Sequence, residues 1–420
     1  MTFLARKIVS RLLGRIESGS LRIVDGDRAY TFGPDDEALR VTVTFHDPGV
    51  WRALLRGSTG LGETYMDGRW DADDLTALVR LAARNAPKLD RLRSRLAFAL
   101  RPVQLVRGGR ANSVRRSRRQ ISAHYDLGND LFGHMLDERM LYSSAVFETP
   151  ETSLEDAQVG KLELICSKLE LRPDDHLLEI GTGWGGLAIF AASRYGCRVT
   201  TTTISAEQHA LATERIREAG LEDRVTVLLR DYRELDDTYD KLVAIEMIEA
   251  VGWRNFERFF ERCSELLEPD GLALLQAITI DDRAYDVEKA GASFITTYIF
   301  PGGCLPSVEV MARCVRRNTD MQWLSLQDIT ADYVLTLRHW RERFLAAEAQ
   351  LDAAGYDLRF RRLWELYLRY CEAGFAERRI ADVQVVFAKP AHHKRTASSS
   401  PRRAAEHPVG DGVQEEGRAA

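Results

Sequence analysis

The sequence predicts an α/β protein: a doubly wound, mostly parallel sheet preceded by a smaller α+β region. Three observations predict it. A short apolar strand, His176-Leu-Leu-Glu-Ile180, runs into the turn Gly181-Thr-Gly-Trp-Gly-Gly186 and then into the helical stretch Leu187–Ala192. Strand and helix patterns alternate from Glu179 to Ala277, as they do in parallel sheets with crossover helices. Well before them, Leu21 to Asp47 alternates polar and apolar residues, as in Arg40-Val-Thr-Val-Thr-Phe-His46, which predicts a small sheet.

In chain order, Met1 to Ile16 carries Phe3, Leu4, Ile8, Leu12 and Ile16 at helical spacing, with Arg6, Lys7, Arg11 and Arg15 between them. Such a basic amphipathic helix either lies on an anionic membrane or packs on the domain with a solvated basic face. Gly57 to Asp71 is glycine-rich and reads as a loop by composition. Leu75 to Leu100 returns to helical spacing. Arg107 to Arg119 holds six arginines and no acid, which predicts an exposed connector with attraction for lipid head groups. Within the alternating region, Ala206–Ala219 reads as a helix, and Arg224–Leu229, Lys241–Ile245 and Gly271–Ala277 as strands. Phe256, Phe259, Phe260, Cys263 and Leu267 mark a helix stripe. Asp332 to Phe375 is helical and Asp382 to Ala388 a last strand. After Pro390 the near absence of apolar residues predicts a disordered tail. The expected division is 1–106, a basic linker 107–121, 122–390, and a tail 391–420.

The glycine turn points to a nucleotide-like cofactor, and two details choose between candidates. Glu179 lies two residues before the first glycine, where a carboxylate can order the turn or meet the cationic methionine end of S-adenosylmethionine (SAM). A nicotinamide enzyme places an acid about 20 residues beyond the glycines for the ribose hydroxyls. Here the second strand, Arg198-Val-Thr-Thr-Thr-Thr203, ends on Thr202 and Thr203. SAM is favoured over NAD, and over a turn that merely packs a helix on a strand.

With 58 basic and 63 acidic residues the formal net charge is −5, which argues against a general nucleic-acid binder. The six cysteines are scattered without CxxC or metal spacing, as suits a reducing cytoplasm, so no metal is expected. No apolar run approaches the length of a membrane-spanning helix.

Five motifs in order, His124-Tyr-Asp-Leu-Gly-Asn-Asp130, Gly181-Thr-Gly-Trp-Gly-Gly186, Ile204-Ser-Ala-Glu-Gln208, Asp231-Tyr-Arg233 and Glu249-Ala-Val-Gly252, resemble the cyclopropane-fatty-acyl-phospholipid synthases, the group that includes the mycolic acid cyclopropane synthases. Gly60-Leu-Gly-Glu-Thr-Tyr-Met-Asp-Gly-Arg-Trp70 is similar to the amino-terminal domain of their phospholipid-acting members.

The resemblance implies a class I SAM-dependent methyltransferase fold, Rossmann-like, with a helical cover over an acyl tunnel and a lipid-engaging first domain. It implies methyl(ene) transfer from SAM to the double bond of an unsaturated phospholipid acyl chain, forming a cyclopropane. The alternatives are a methyl- or methylene-branched product of the same cation, and a non-catalytic SAM- and lipid-binding protein. Tyr142, Ser143, Gly181 and Gly183 match residues against SAM, Thr203 and Gln208 its adenosine side, and Asp231 with Tyr232 the surroundings of the adenine. A bicarbonate ion is implied beside the alkene, with ligands matching Ser144, Glu249, Gln276, Ile278 through its backbone, and Tyr333. Ser144 stands where cysteine is typical and Gln276 where histidine is; Ala250 replaces a histidine and Thr182 a cysteine. Cys371 matches a cysteine counted among the family's active residues, with a buried structural thiol as the alternative.

An isolated alkene attacking a sulfonium needs alignment and a dry site more than an activated side chain. Glu249 and Tyr333 are the candidates for stabilising the resulting carbocation. The expected partner is an unsaturated phospholipid in an anionic membrane, with no nucleic acid and a homodimer left open. The expected location is cytoplasmic, peripheral at the inner face of the membrane.

Overall fold

A computed structural model describes residues 2–393 of the chain apart from 36, 100–127, 290 and 292. The arginines from Arg107 to Arg119, the motif residues from His124 to Leu127 and the tail from 394 lie outside the described residues.

The alternating stretch near the amino terminus forms β1 (Ser20–Asp25), β2 (Arg28–Phe32) and β3 (Arg40–Phe45). With β4 (Trp70–Ala72) they make a sheet in the order β2-β1-β3-β4. β1 and β3 are parallel and the outer pairs antiparallel. Val41, Val43 and Phe45 point into the core while Arg40 and Thr44 are exposed, the period of two that the sequence shows.

A seven-stranded sheet follows: β5 (His176–Ile180), β6 (Arg198–Thr202), β7 (Val225–Leu228), β8 (Tyr239–Ile245), β9 (Leu267–Ile280), β10 (Gln322–Asp328) and β11 (Ile380–Ala388), in the order β10-β11-β9-β8-β5-β6-β7. β5 to β9 are parallel, and β11 is antiparallel to both β9 and β10. The chain winds outward from β5 to β7, then returns to the other side of β5 as β8. That reversal opens a crevice at the carboxyl ends of β5 and β8, where sheets of this kind bind ligands. Both faces are covered by apolar residues, Leu177, Ala188 and Leu274 on one side and Leu178, Phe259 and Phe260 on the other.

Four elements differ from expectation. Gly57–Asp71 is not a loop: Ser58–Met66 is a helix, with β4 after it. Its glycines serve close packing. A β-carbon on Gly60 would lie 2.0 Å from the Ala53 carbonyl oxygen, and one on Gly62 would lie 2.4 Å from the Phe294 ring. Leu267 belongs to β9 rather than to the preceding helix, which ends at Glu265. The helical region from Asp332 divides into Thr330–Ala346, Glu348–Ala353 and Leu358–Ala376. β10 is a strand without a sequence signal, because as an edge strand it exposes nearly every side chain and shows no apolar period.

The amino-terminal sheet and the later helices share one core, which joins Val41, Trp51 and Trp70 with Phe294, Trp340 and Trp364. Polar ties reinforce it. Arg362, on Leu358–Ala376, donates to the Tyr65 carbonyl at 2.6 Å and the Trp70 carbonyl at 3.0 Å, and stacks over the Tyr65 ring at 4.0 Å. Arg80 and Arg84 both bind Glu377.

Gly60→Ala should therefore cost about 1–3 kcal/mol of stability through overpacking against a backbone carbonyl. Gly133→Ala, inside the helix Asn129–Met135 with nothing within 4 Å of the added carbon, should be neutral or stabilising. Denaturant unfolding of both variants measures the contrast, and equal stability would remove the packing explanation for Gly60.

Candidate active site

β5 delivers the chain to Gly181, whose N–H, like that of Thr182, donates to the Thr202 carbonyl at the end of β6, at 3.0 and 3.1 Å. The turn is thereby pinned across two strands. Its glycines do different jobs. A β-carbon on Gly186 would lie 2.8 Å from the Arg139 carbonyl oxygen, so this position is small for packing. Gly183 has a left-handed φ of 51° and nothing within 4 Å of where its β-carbon would be, so it is bare towards open space. Asn129, from the first motif, accepts the Trp184 indole N–H at 2.9 Å and holds the turn from outside.

That open space is a cavity of about 1550 Å³. Glu179, Gly181, Gly183, Thr203, Gln208, Asp231 and Tyr232 line one end. Thr203 donates its hydroxyl to the Gln208 side-chain oxygen at 2.8 Å. Asp231 clamps the Arg233 guanidinium at 2.7 Å through both oxygens, and that guanidinium lies 5.6 Å from the Tyr232 ring centre. The Tyr232 hydroxyl is buried without a hydrogen-bond partner in the protein. Glu179 is buried, accepts from the Thr201 hydroxyl at 2.6 Å, and is pushed up to about 8 by burial. A cation seated beside it would favour its ionised form.

Tyr142 and Ser143 form the wall between this end and the middle. The Tyr142 and Tyr367 hydroxyls are 2.7 Å apart, and the Tyr142 ring stacks on Trp340 at 5.2 Å. The Ser143 hydroxyl accepts from Lys161 Nζ at 2.6 Å. Lys161 is fully buried, and desolvation lowers its ammonium to about 8.

Glu249, Ile278, Tyr333 and Cys371 line the middle of the cavity. One Glu249 oxygen accepts the Ile278 N–H and the other has no partner. Burial, then the neighbouring Glu246, pushes Glu249 up to about 8. The Tyr333 ring stacks on Phe375 at 4.3 Å. Burial raises the Cys371 thiol to about 12, so at neutral pH it is a wall residue and no thiolate. Ser144 and Gln276 do not reach the cavity. The Ser144 hydroxyl donates to the Ala145 carbonyl at 3.0 Å, and Gln276 is buried behind the wall.

Glu246, at the carboxyl end of β8, was not singled out from sequence. Its carboxylate accepts from Ser144 N–H at 2.8 Å, from Gln276 Nε2 at 2.8 Å and from the Tyr333 hydroxyl at 2.6 Å. Those groups, with the Ile278 N–H that Glu249 takes, are the donors expected to hold bicarbonate. The residues present therefore do not fit that ion: two carboxylates of the chain already use its donors. Glu246 also has φ 47°, a left-handed backbone costing about 1–3 kcal/mol in a non-glycine residue and typical of functional sites. The legible signal was a carboxylate ending the apolar strand Lys241–Ile245, three residues before Glu249. Lys161 had one too, a charge within the buried stripe Leu154, Ala157, Gln158, Leu162 and Ile165.

The far end of the cavity reaches into the amino-terminal sheet, lined by Ile23, Val43, Phe45, Leu54 and Leu61, and borders Leu12 of the first helix and Ile16 just beyond that helix, which ends at Leu13 rather than at Ile16 as the sequence spacing predicts. The volume exceeds the roughly 300–1,000 Å³ of a one-ligand site, which suits a cofactor at the glycine end and a long apolar chain beyond it.

Residues 112–385 match the family model of mycolic acid cyclopropane synthetase. The chain is 38% identical over 378 residues to a tuberculostearic acid methyltransferase of Mycobacterium tuberculosis, covering 88% of each chain. It is 40% identical over 342 residues to the cyclopropane-fatty-acyl-phospholipid synthase of Escherichia coli K12, covering 80% of this chain and 85% of that one. A crystal structure of a mycolic acid cyclopropane synthase complexed with SAH and CTAB superposes with a TM-score of 0.61 at 30% identity, over 65% of this chain and 98% of that one.

If the bare side of the turn faces the cofactor, Gly183→Val should weaken SAM binding more than about tenfold, a loss of about 1.4 kcal/mol. Isothermal titration measures it, with circular dichroism to confirm folding. Unchanged affinity in a folded variant would show that the ligand does not approach the turn there.

Proposed function

The chain belongs to the mycolic acid cyclopropane synthetase family, and we propose that it transfers the methyl group of SAM to the double bond of an unsaturated acyl chain carried by a phospholipid. The observation that supports this most is that one continuous cavity is polar around the glycine turn and apolar from Tyr333 into the amino-terminal sheet. Gly181 and Gly183 lie against the cofactor, Glu179 favours its cationic end, Thr203 and Gln208 take the adenosine side, and Asp231 with Tyr232 the adenine.

In the reaction the alkene attacks the methyl carbon of the sulfonium. A carbon–carbon bond forms, the carbon–sulfur bond breaks with its electrons going to sulfur, and a cation is left on the neighbouring chain carbon. The chain's part is to align the two in a water-poor cavity and to stabilise that cation, through the Tyr333 ring and the Glu249 carboxyl. The cation ends by losing a proton.

Two points favour a methyl- or methylene-branched product over the cyclopropane that the family resemblance implies. The donors for a free bicarbonate are already taken by Glu246 and Glu249. The relative that spans 88% of both chains carries the name of a methyltransferase and not of a cyclopropane synthase.

We place residues 1–106 as the lipid-engaging part of a peripheral membrane protein. The first helix, Thr2–Leu13, packs through Ala5 and Val9 and leaves Phe3 and Leu4 69% and 62% exposed, with Ile8 and Leu12 exposed beside them. Leu12 also borders the cavity, so this apolar face adjoins a route for an acyl chain. Among the described residues no helix is long and apolar enough to cross a membrane.

The chemistry is tested by feeding methyl-deuterated SAM and separating the labelled fatty acids by chromatography with mass spectrometry. A ring or an exo-methylene keeps two deuterons, while loss of a chain proton leaves three on a methyl branch. The expected result is a predominance of uncyclised product. A predominance of cyclopropane would overturn the branched reading and keep the transferase, and absence of label from lipid would reject the transferase.

Membrane engagement is tested by sedimentation with vesicles. Phe3→Ser with Leu4→Ser should release the protein from anionic phospholipid vesicles. Rising salt should weaken wild-type binding, since exposed charges are screened over about 10 Å at 0.1 M. Binding that ignores both changes would show that the first helix is not the contact.

A further inference from the structure

We propose that the Glu246 carboxylate is the proton acceptor of the reaction, so that the enzyme works without an exogenous anion. This rests on the transferase reading above. Glu246 lines the same cavity as Glu249 and Tyr333, at the carboxyl end of β8 where the sheet reverses.

The hydrogen bonds around it fix which way each group points. Lys168 can only donate, and its Nζ donates to Gln384 Oε1 at 2.6 Å. The Gln384 amide nitrogen must then donate onward, and it meets Gln276 Oε1 at 3.0 Å. The Gln276 nitrogen is left to donate its two hydrogens, to Glu246 Oε1 at 2.8 Å and to Asp382 Oδ2 at 3.1 Å. Ser144 adds a backbone N–H, which has no other option. Glu246 is thus met by fixed donors, with the Tyr333 hydroxyl completing the set, and these groups suit a carboxylate.

Its acidic neighbours have fewer donors, since one oxygen of Glu249 and one of Asp382 have no partner. Asp382 is raised well above the usual carboxylate range by burial and by Glu246, and Glu249 is raised to about 8. Burial also raises Glu246, against the pull of Tyr333, Ser144, Lys161 and Gln276. A carboxylate ionised despite that environment is a stronger base than one in water. In the step itself, a carbon–hydrogen bond of the methylated cation breaks, its electrons neutralise the cation as a carbon–carbon bond, and the proton passes to a Glu246 oxygen. SAH leaves, and the proton returns to solvent before the next turnover.

The test uses the purified full-length chain with unsaturated phospholipid vesicles and methyl-labelled SAM, in buffer scrubbed of carbon dioxide and in the same buffer with millimolar bicarbonate. Wild type should label lipid equally in both. Glu246→Gly should fold at reduced stability, since glycine relaxes the left-handed backbone and so offsets part of the cost of the donors left unpaired, and should bind SAM normally by titration. It should lose about 100-fold or more in turnover in scrubbed buffer. Bicarbonate should restore part of this, because removing the side chain frees its donors. Glu246→Gln fills the same space and should not be restored. As a readout independent of turnover, the carbon-13 resonance of labelled bicarbonate should broaden with Glu246→Gly and not with wild type. A wild type that stalls in scrubbed buffer and recovers with bicarbonate would overturn the assignment, as would a Glu246→Gly variant that turns over normally without it. If wild type labels no lipid in either buffer, the transferase reading fails, and the carbon-13 comparison alone then decides whether Glu246 occupies the anion's place.

Discussion

Four separate stretches of chain meet on one buried carboxylate. Ser144 comes from the irregular segment before the glycine strand, Gln276 from β9, Tyr333 from the cover helix Thr330–Ala346, and Glu246 itself from the end of β8. The bonds join the loop to the sheet, two neighbouring strands of that sheet, and the cover helix to the sheet. A buried donor left without its acceptor costs about 1–3 kcal/mol, so loss of this carboxylate would be felt in all the surrounding segments at once. The left-handed backbone at Glu246 is held by the same network and by its own N–H, which donates to the Gln276 carbonyl at 2.8 Å.

The cavity depends on a second constraint, the joining of the amino-terminal sheet to the cover. Arg362 ends in a crowd of acceptors, the carbonyls of Tyr65 and Trp70 and the Asp71 carboxylate. The small faces of Gly60 and Gly62 let the helix Ser58–Met66 settle against Ala53 and Phe294. Through this contact Ile23, Val43 and Phe45 become the far wall of the same cavity that begins at Gly181. A first region that looks detached in sequence thereby supplies the apolar length that an acyl chain needs.

The sheet was legible because its signals are local. A strand, a glycine turn and a helix within a short stretch show the fold and point to the proposed cofactor end, and Thr203 with Gln208 are only five residues apart. The helix at Ser58–Met66 was not legible, because its glycines act on Ala53 and on Phe294, the latter more than 200 residues away, while locally they read as loop. β10 was hidden for the opposite reason, since an exposed edge leaves no apolar period to read.

The amino-acid sequence carries the chemistry-bearing residue types, the positions of the parallel strands β5 to β9 along the chain and the place of the glycine turn, because short-range spacing encodes them. It also supplied Glu249, Tyr333 and Gln276 as names. What these residues do to one another is set by long-range packing. Glu246 takes its donors from positions 102, 30 and 87 residues away, and no local pattern encodes such meetings. Whether a glutamine faces a ligand or a neighbouring carboxylate follows from which groups the fold packs against it, and here the packing turns Gln276 towards Glu246.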